Sequence, residues 1–293
     1  MAQPAAFGLN VDPNTGGLAI AGRIAAIADE AGLEYAGLQD HPYNAGFVDT
    51  FSLITWLAAR TSRVHFFPNV ANLPLRPPAM LAKQAATIDM LSGGRFELGL
   101  GAGAFADGIA GMGGPRRTPG QSVAALSEAI DIIRAWWAAQ PFSFQGSCYS
   151  TTDAQPAPRP AHPIGLWLGV RGPRALALVG EKADGWSVSK FRVPPEQLAA
   201  LNGIIDDAAL AANRDPDQIT RLYNVDGLIS EQDQGPFHGP PQRWVDTLAD
   251  LYESQQMNAF IYWPSADRER QSRLFAEEVV PLAREVLGSE GPA

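Results

Sequence analysis

His41 is the first residue whose type and setting suggest chemistry. It follows the apolar run Tyr35–Gln39 and stands between Asp40 and Pro42. An imidazole at the end of a buried strand titrates near neutrality and can accept or donate a proton there. A packing role is the plainer alternative. The stretch Leu91–Phe105, LSGGRFELGLGAGAF, is the second feature. It reads as a helix ending at Ser92-Gly93-Gly94, an apolar strand over Arg95–Leu100, and a ladder of glycines at 99, 101 and 103. Glycines so close together imply a sharp turn and the approach of something large, because a Cβ would clash or forbid the required φ. We expect a cofactor across this strand end; a tight turn without a ligand is the alternative. The third feature, Gly169-Val170-Arg171-Gly172-Pro173, joins a strand to a helix. Free N–H groups at a helix N-terminus, with Arg171 nearby, make a seat for a phosphate. Lys190, after Ser189 at the end of the next strand, could reach the same anion. An ordinary turn beside a solvated lysine is the alternative.

Other patterns carry less. Residues Gly101–Ala106 formally match the dinucleotide fingerprint, but Asp107–Gly114 read as loop, and three βα units already precede them. The sequence has neither a P-loop nor a nucleophile-elbow serine. His65 reads as mid-strand, and His162 and His238 as loop residues. No pair has metal-ligand spacing on one element, so no metal site is expected. The single cysteine, Cys148, excludes an internal disulfide and a cysteine-rich metal site.

The elements that must position these residues alternate regularly. Strands are expected at Phe7–Asn10, Tyr35–Gln39, Arg63–Asn69, Arg95–Leu100, Ile164–Gly169, Gly185–Ser189, Ile219–Leu228 and Asn258–Tyr262. Helices are expected at Leu18–Gly32, Thr50–Arg60, Pro77–Leu91, Gln121–Ala139, Pro173–Gly180, Pro195–Asn213, up to Ser254, and Arg268–Leu287. Gln140–Pro163, rich in Pro, Ser and Thr, reads as an insertion loop. Eight crossover-linked strands imply a parallel sheet that closes into an α/β (β/α)8 TIM barrel with insertion loops; an open doubly wound sheet is the alternative. One such domain is expected over residues 1–293. The chemistry-bearing residues then fall at the C-terminal ends of strands, where barrel active sites lie.

Composition narrows the partners. A net charge of −9 argues against nucleic acid. No apolar run of about eighteen residues could span a bilayer, and no signal peptide is visible, so a soluble, cytoplasmic protein is expected.

Several of these segments resemble one family. Asp40-His41 after the second strand, NVANLPLRPPAMLAKQAATIDMLSGGRFELGLGAG at 69–103, and LGVRGPRALALVGEKADGW at 168–186 are similar to the luciferase-like monooxygenase superfamily. The resemblance implies a TIM-barrel oxidoreductase using reduced FMN or the deazaflavin coenzyme F-420, with Lys190 favouring the deazaflavin. It places His41 near the cofactor ring as general acid/base or substrate polariser, and Asp40 as the neighbouring contact. It implies a non-prolyl cis peptide at Asn69-Val70 behind the ring. Asn72, Gly101, Ala102 and Gly103 would line the ring and ribityl chain, and Gly169, Val170, Arg171, Gly172, Pro173, Ser189 and Lys190 the phosphate end. One place departs from the pattern. The sugar-phosphate dehydrogenase branch has a glutamate proton donor where this chain has Ala104, which tells against a glucose-6-phosphate substrate. A pocket near Trp56, Ala104 and Phe105 reads as more apolar. A small-molecule substrate, a homodimer and a separate reductase complete the expectation. A non-catalytic flavin-binding barrel and a flavin-free phosphosugar or aldolase barrel are the other readings.

Overall fold

A computed structural model describes residues 3–289, so the first two and last four residues of the expected 1–293 span lie outside the described residues. Among the described residues eight strands make up the barrel: β1 (Ala6–Asn10), β2 (Tyr35–Leu38), β3 (His65–Pro68), β4 (Leu98–Gly101), β5 (Leu166–Leu168), β6 (Gly185–Ser189), β7 (Thr220–Ile229) and β8 (Ala259–Pro264). Each pairs in parallel with its neighbours in the order β3-β2-β1-β8-β7-β6-β5-β4. The ring closes where the two-residue strand Ala71–Asn72 continues β3 and pairs Ala71 with Leu100, and where Phe66 bridges Phe96. The eight-strand barrel is therefore formed, and the open sheet is not.

Eight helices follow the strands: α1 (Leu18–Glu30), α2 (Thr50–Ala58), α3 (Pro78–Ser92), α4 (Pro119–Trp137), α5 (Pro173–Lys182), α6 (Leu198–Ala211), α7 (Pro241–Glu253) and α8 (Arg268–Leu274). Local signals place their ends. Asp49 caps α2 by accepting from Ser52 N at 2.8 Å, and a Thr118/Gln121 capping box opens α4. Gly93, at φ 72°, closes α3 in the left-handed conformation that glycine adopts without penalty. Most strands are short apolar runs buried on both faces, as parallel strands are; β7 is longer and carries the exposed Asp226.

Side chains alternate across each strand, so the lumen is lined by every second residue. Phe67, Trp167, Leu222, Ala259 and Ile261, with Tyr35 against them, fill its lower half as a cluster separate from the main core under the helices. The Trp167 ring meets Tyr35 and Phe67 edge-on, each at 5.0 Å.

The structure departs from the expected elements in four places. The 140–163 segment holds an antiparallel hairpin, Phe142–Gln145 with Ser150–Ala154, whose turn is gripped by Glu128 through the N–H groups of Ser147, Cys148 and Tyr149. The loop after β4 contains a short helix, Ala106–Gly111. The final helix passes through a π-helical stretch, Phe275–Val279, before resuming at Val280–Leu287. Strand β4 starts at Leu98 rather than Arg95, whose guanidinium instead donates to the carbonyls of Ala58, Thr61, Val64 and Ser92 beneath the barrel.

Candidate active site

The loop after β2 carries the site's first side chains. Asp40 is buried, and both of its carboxylate oxygens already have protein donors: Arg76 Nε and a terminal Arg76 nitrogen, each at 2.7 Å, and Asn72 N at 2.8 Å. The expected cofactor contact is thus a clamp that fixes the end of β3 to the end of β2. Arg76 also pairs with Asp49 at 2.7 Å, which joins the clamp to the start of α2.

His41 is half-buried inside an aromatic cluster. Its Nδ1 shares a 2.7 Å hydrogen bond with Tyr43 Oη, and Phe105 stands edge-on to the ring at 5.4 Å. Phe47 lies 6.3 Å away. Burial lowers the imidazole pKa below its usual value, against the opposing pull of Asp40. Burial likewise pushes the Tyr43 hydroxyl up to about 12, so it keeps its proton at neutral pH. Among the described residues Nε2 has no protein partner. It can act as a base when Nδ1 holds the proton, or as a hydrogen-bond donor when Tyr43 donates to Nδ1.

The peptide bond Asn69–Val70 is cis, as the resemblance implied. Asn69 does not keep a free amide. Its Nδ2 donates to Asn224 Oδ1 at 2.6 Å, and its Oδ1 accepts from Ser187 Oγ at 3.0 Å. Trp263 Nε1 donates to the same Asn224 oxygen at 3.1 Å. These four side chains, from the residue after β3 and from β6, β7 and β8, span the lumen as a polar layer above the aromatic one. Only Asn69 had been anticipated. A strand pattern shows which residues alternate, but not which of them meet across a barrel.

The chain's own atoms crowd the glycine ladder, Val70 among them. A Cβ on Gly101 would lie 2.7 Å from a Val70 methyl, and one on Gly169 would lie 2.6 Å from the same methyl. A Cβ on Gly99 would come within 2.2 Å of Pro68 O. Close approach is found at Gly99 and Gly101, and the approaching atoms there are Pro68 O and the Val70 methyl of this chain. Gly103 has a different reason: its φ is +89°, and a Cβ would strike Pro74 at 2.5 Å. Ala102 is half-buried beside it, while Ala104 and Phe105 are exposed at the rim. Gly108 lies so close under the Tyr43 ring that a Cβ would come within 2.7 Å, so the 103–111 loop and the His41 loop are packed together.

At the phosphate end, Gly172 caps α5 without a side-chain hydrogen bond, and Pro173 occupies its first position. Val170 is half-buried, its carbonyl accepting from Trp186 Nε1 at 2.7 Å, while Arg171 is exposed. The uncapped first turn keeps the character of an anion seat. Lys190 departs from the expectation. Its amine donates to Asp226 O at 2.8 Å, pairs with the Asp226 carboxylate at 3.3 Å and lies 4.6 Å over the Phe237 ring. It is engaged with β7. Ser189 ends β6 beside it, with its carbonyl holding Arg192 N and Val193 N. Trp56 is also displaced. It lies on the outer face of α2, against Gly22 of α1 and 4.0 Å beneath the Arg60 guanidinium, and belongs to the helix layer rather than a pocket.

Two buried polar atoms at the ends of β1 and the β3 extension, Asn10 Oδ1 and Asn72 Oδ1, have no hydrogen-bond partner. Such an atom carries a desolvation penalty of about 1–3 kcal/mol until something donates to it. The donor and acceptor edges of a flavin-type ring would supply that partner, so the residues present fit such a group. A separate hollow lined by Asp12, Ile20, Ile24 and Arg268 shares no residue with the His41 cluster. Among the described residues no helix is long and apolar enough to cross a membrane.

Known proteins agree with this architecture. Residues 5–234 match the model of the family described as luciferase-like monooxygenase. A protein of Nakamurella multipartita named F420-dependent glucose-6-phosphate dehydrogenase is 24% identical, over 97% of this chain and 98% of the relative. The coenzyme F420 dependent tetrahydromethanopterin reductase of Methanopyrus kandleri has the same fold, with a TM-score of 0.83 at 21% identity over 96% of this chain and 99% of that one. So does a riboflavin lyase solved with modified FMN and riboflavin, with a TM-score of 0.86 at 15% identity over 99% and 93% of the two chains. The chain belongs to the luciferase-like monooxygenase family.

Proposed function

We propose that this barrel is an oxidoreductase that binds a reduced flavin or deazaflavin, coenzyme F-420 or FMN, across the C-terminal rim and acts on a small, rather apolar organic substrate. One observation carries the reading. Asp40 holds Asn72 N, so the unpartnered Oδ1 of Asn72 and the unpartnered Nε2 of the adjacent His41 belong to one rigid corner of the rim. The relatives named for F420 support the deazaflavin, and the FMN-bound riboflavin lyase supports FMN.

When bound, the cofactor supplies hydride transfer or, as reduced FMN with dioxygen, monooxygenation. The chain's own residues do the rest. Val70, Ala102 and Gly103 would back the ring, Asn72 Oδ1 would accept a hydrogen bond from it, and the uncapped start of α5 with Arg171 would seat the tail phosphate. His41 takes up or offers a proton through Nε2, with Tyr43 fixing its ring. Phe105 and Ala104 give the substrate side an apolar wall, which fits a substrate other than glucose 6-phosphate. The resemblance also supports a homodimer, a separate reductase for the FMN case and a cytoplasmic setting.

The test is a calorimetric titration with FMN, reduced FMN and coenzyme F-420. Binding of one of them tighter than roughly 10 µM is expected, about 7 kcal/mol. Failure of all three to bind at about 1 mM contradicts the proposal.

A further inference from the structure

We propose that His65, Glu97 and His162 form a binding site for a divalent transition-metal ion, zinc by its chemistry, at the N-terminal end of the barrel. The three residues come from separate elements. His65 opens β3, Glu97 stands just before β4, and His162 lies in the loop that leads into β5. Their candidate ligand atoms, one from each side chain, all lie within 4.8 Å of one another. Glu97 Oε1 is 3.2 Å from His65 Nδ1 and 3.2 Å from His162 Nε2. Ligands about 2.1 Å from a tetrahedral ion stand roughly 3.4 Å apart, so the spacing is close to what such an ion requires.

For His162 and Glu97 the atoms that would face away from the ion are held independently. His162 Nδ1 lies 2.6 Å from Asp89 Oδ1, and the other Asp89 oxygen accepts from Ala161 N at 2.7 Å and His162 N at 3.0 Å. A carboxylate on the far nitrogen of a ligating histidine is the usual device for fixing its tautomer and orientation. Glu97 Oε2 accepts from Gly165 N at 2.5 Å, which leaves Oε1 as the ligand atom. Asp89 and Glu97 bring two carboxylates into a buried place, and a dication balances them. Two imidazole nitrogens with one carboxylate oxygen suit zinc better than magnesium or calcium, which take oxygen ligands. The His65 and His162 side chains remain 34% and 24% exposed, enough for an ion to enter and for water to take the fourth position. Sequence spacing within single elements could not reveal this site, because its ligands stand at positions 65, 97 and 162. The competing occupant is a proton on His162 shared between Asp89 and Glu97.

The test uses untagged full-length protein, stripped with a chelator and titrated at pH 8 with zinc by calorimetry and with cobalt by absorption. One ion per chain, a Kd below about 1 µM and the visible bands of tetrahedral cobalt are expected. His65→Gln, at a partly exposed position, should weaken binding at least tenfold while its circular dichroism stays unchanged; His162→Gln should abolish it. Absence of saturable binding overturns the proposal and leaves the proton as the occupant. Equal affinity in wild type and His65→Gln overturns it as well. Neither result touches cofactor binding at the opposite end, which depends on none of these residues.

Discussion

Where the barrel strands begin, side-chain acceptors meet the incoming backbone. Glu34 accepts from Phe7 N at 2.7 Å, Asp29 from Val64 N at 2.9 Å, Asp184 from Leu166 N at 2.8 Å, and Asn258 from Arg221 N at 2.7 Å. Glu97 does the same for Gly165, and in the metal-free protein Asp89 and Glu97 together push His162 up to about 10. Where the strands end, the pattern reverses. Asn10 and Asn72 keep buried oxygens without partners, α5 starts uncapped, and Phe105 is 46% exposed. The difference teaches how one fold divides its tasks. At the N-terminal end side-chain acceptors hold the incoming backbone, which serves stability, while at the C-terminal end a satisfied frame around Asp40 and Asn69 stands beside the unpartnered oxygens of Asn10 and Asn72.

Substitutions at the two ends should therefore separate stability from activity. Asp89→Ala removes the fully buried partner of the His162 ring and leaves the Ala161 and His162 N–H groups without an acceptor. Urea unfolding of chelator-treated protein should show a loss of about 3–5 kcal/mol, with cofactor affinity unchanged in the remaining folded protein. His41→Ala should do the opposite: turnover falls roughly a hundredfold or more, while cofactor affinity and unfolding midpoint stay within error. Unchanged turnover would remove His41 from the mechanism.

Smaller effects test the ladder and the aromatic cluster. Gly101→Ala should destabilise by about 1–3 kcal/mol through overpacking against Val70. Adding Val70→Ala to it should recover part of that loss in a double-mutant cycle, whereas additive losses would show that Val70 is not the reason for the glycine. Because burial lowers the His41 pKa, the acid limb of the pH–rate profile should lie below pH 6.5, with activity lost as the ring protonates on the acid side. In the tautomer that serves as base, Nδ1–H donates to Tyr43 Oη, so Tyr43→Phe removes an acceptor that favours the charged ring and should move that limb downward by less than about one unit. The smallest effect is expected at Trp56→Ala, which should change turnover less than twofold and stability by about 1 kcal/mol.

Much of this division was legible in the sequence. Apolar runs broken by Gly, Pro and Asp located all eight strands, and β6 matched at both ends. The candidate site was assigned to the ends of strands two to six because unusual residues follow buried strands there. What escaped has a common physical cause. Lys190 and Trp56 were placed by position along the chain, but their side chains follow local partners, Asp226 for one and the Gly22 gap for the other. The layer of Asn69, Ser187, Asn224 and Trp263 exists only once the sheet has closed. Tyr43 lay two residues from His41 and was passed over, because nothing in its spacing shows the hydroxyl returning to the imidazole. The hairpin at 142–154 was hidden by its polar residues, since its strands cover little core.

The central claim, that the C-terminal rim holds the cofactor, is tested most directly by hydrogen–deuterium exchange with and without saturating coenzyme F-420 or FMN. Slowed exchange is expected in residues 40–47, 69–76, 101–111 and 169–175, with the 140–163 hairpin and the N-terminal strand ends unchanged. Protection at those strand ends instead, or tight binding with none of the four rim segments protected, would contradict it.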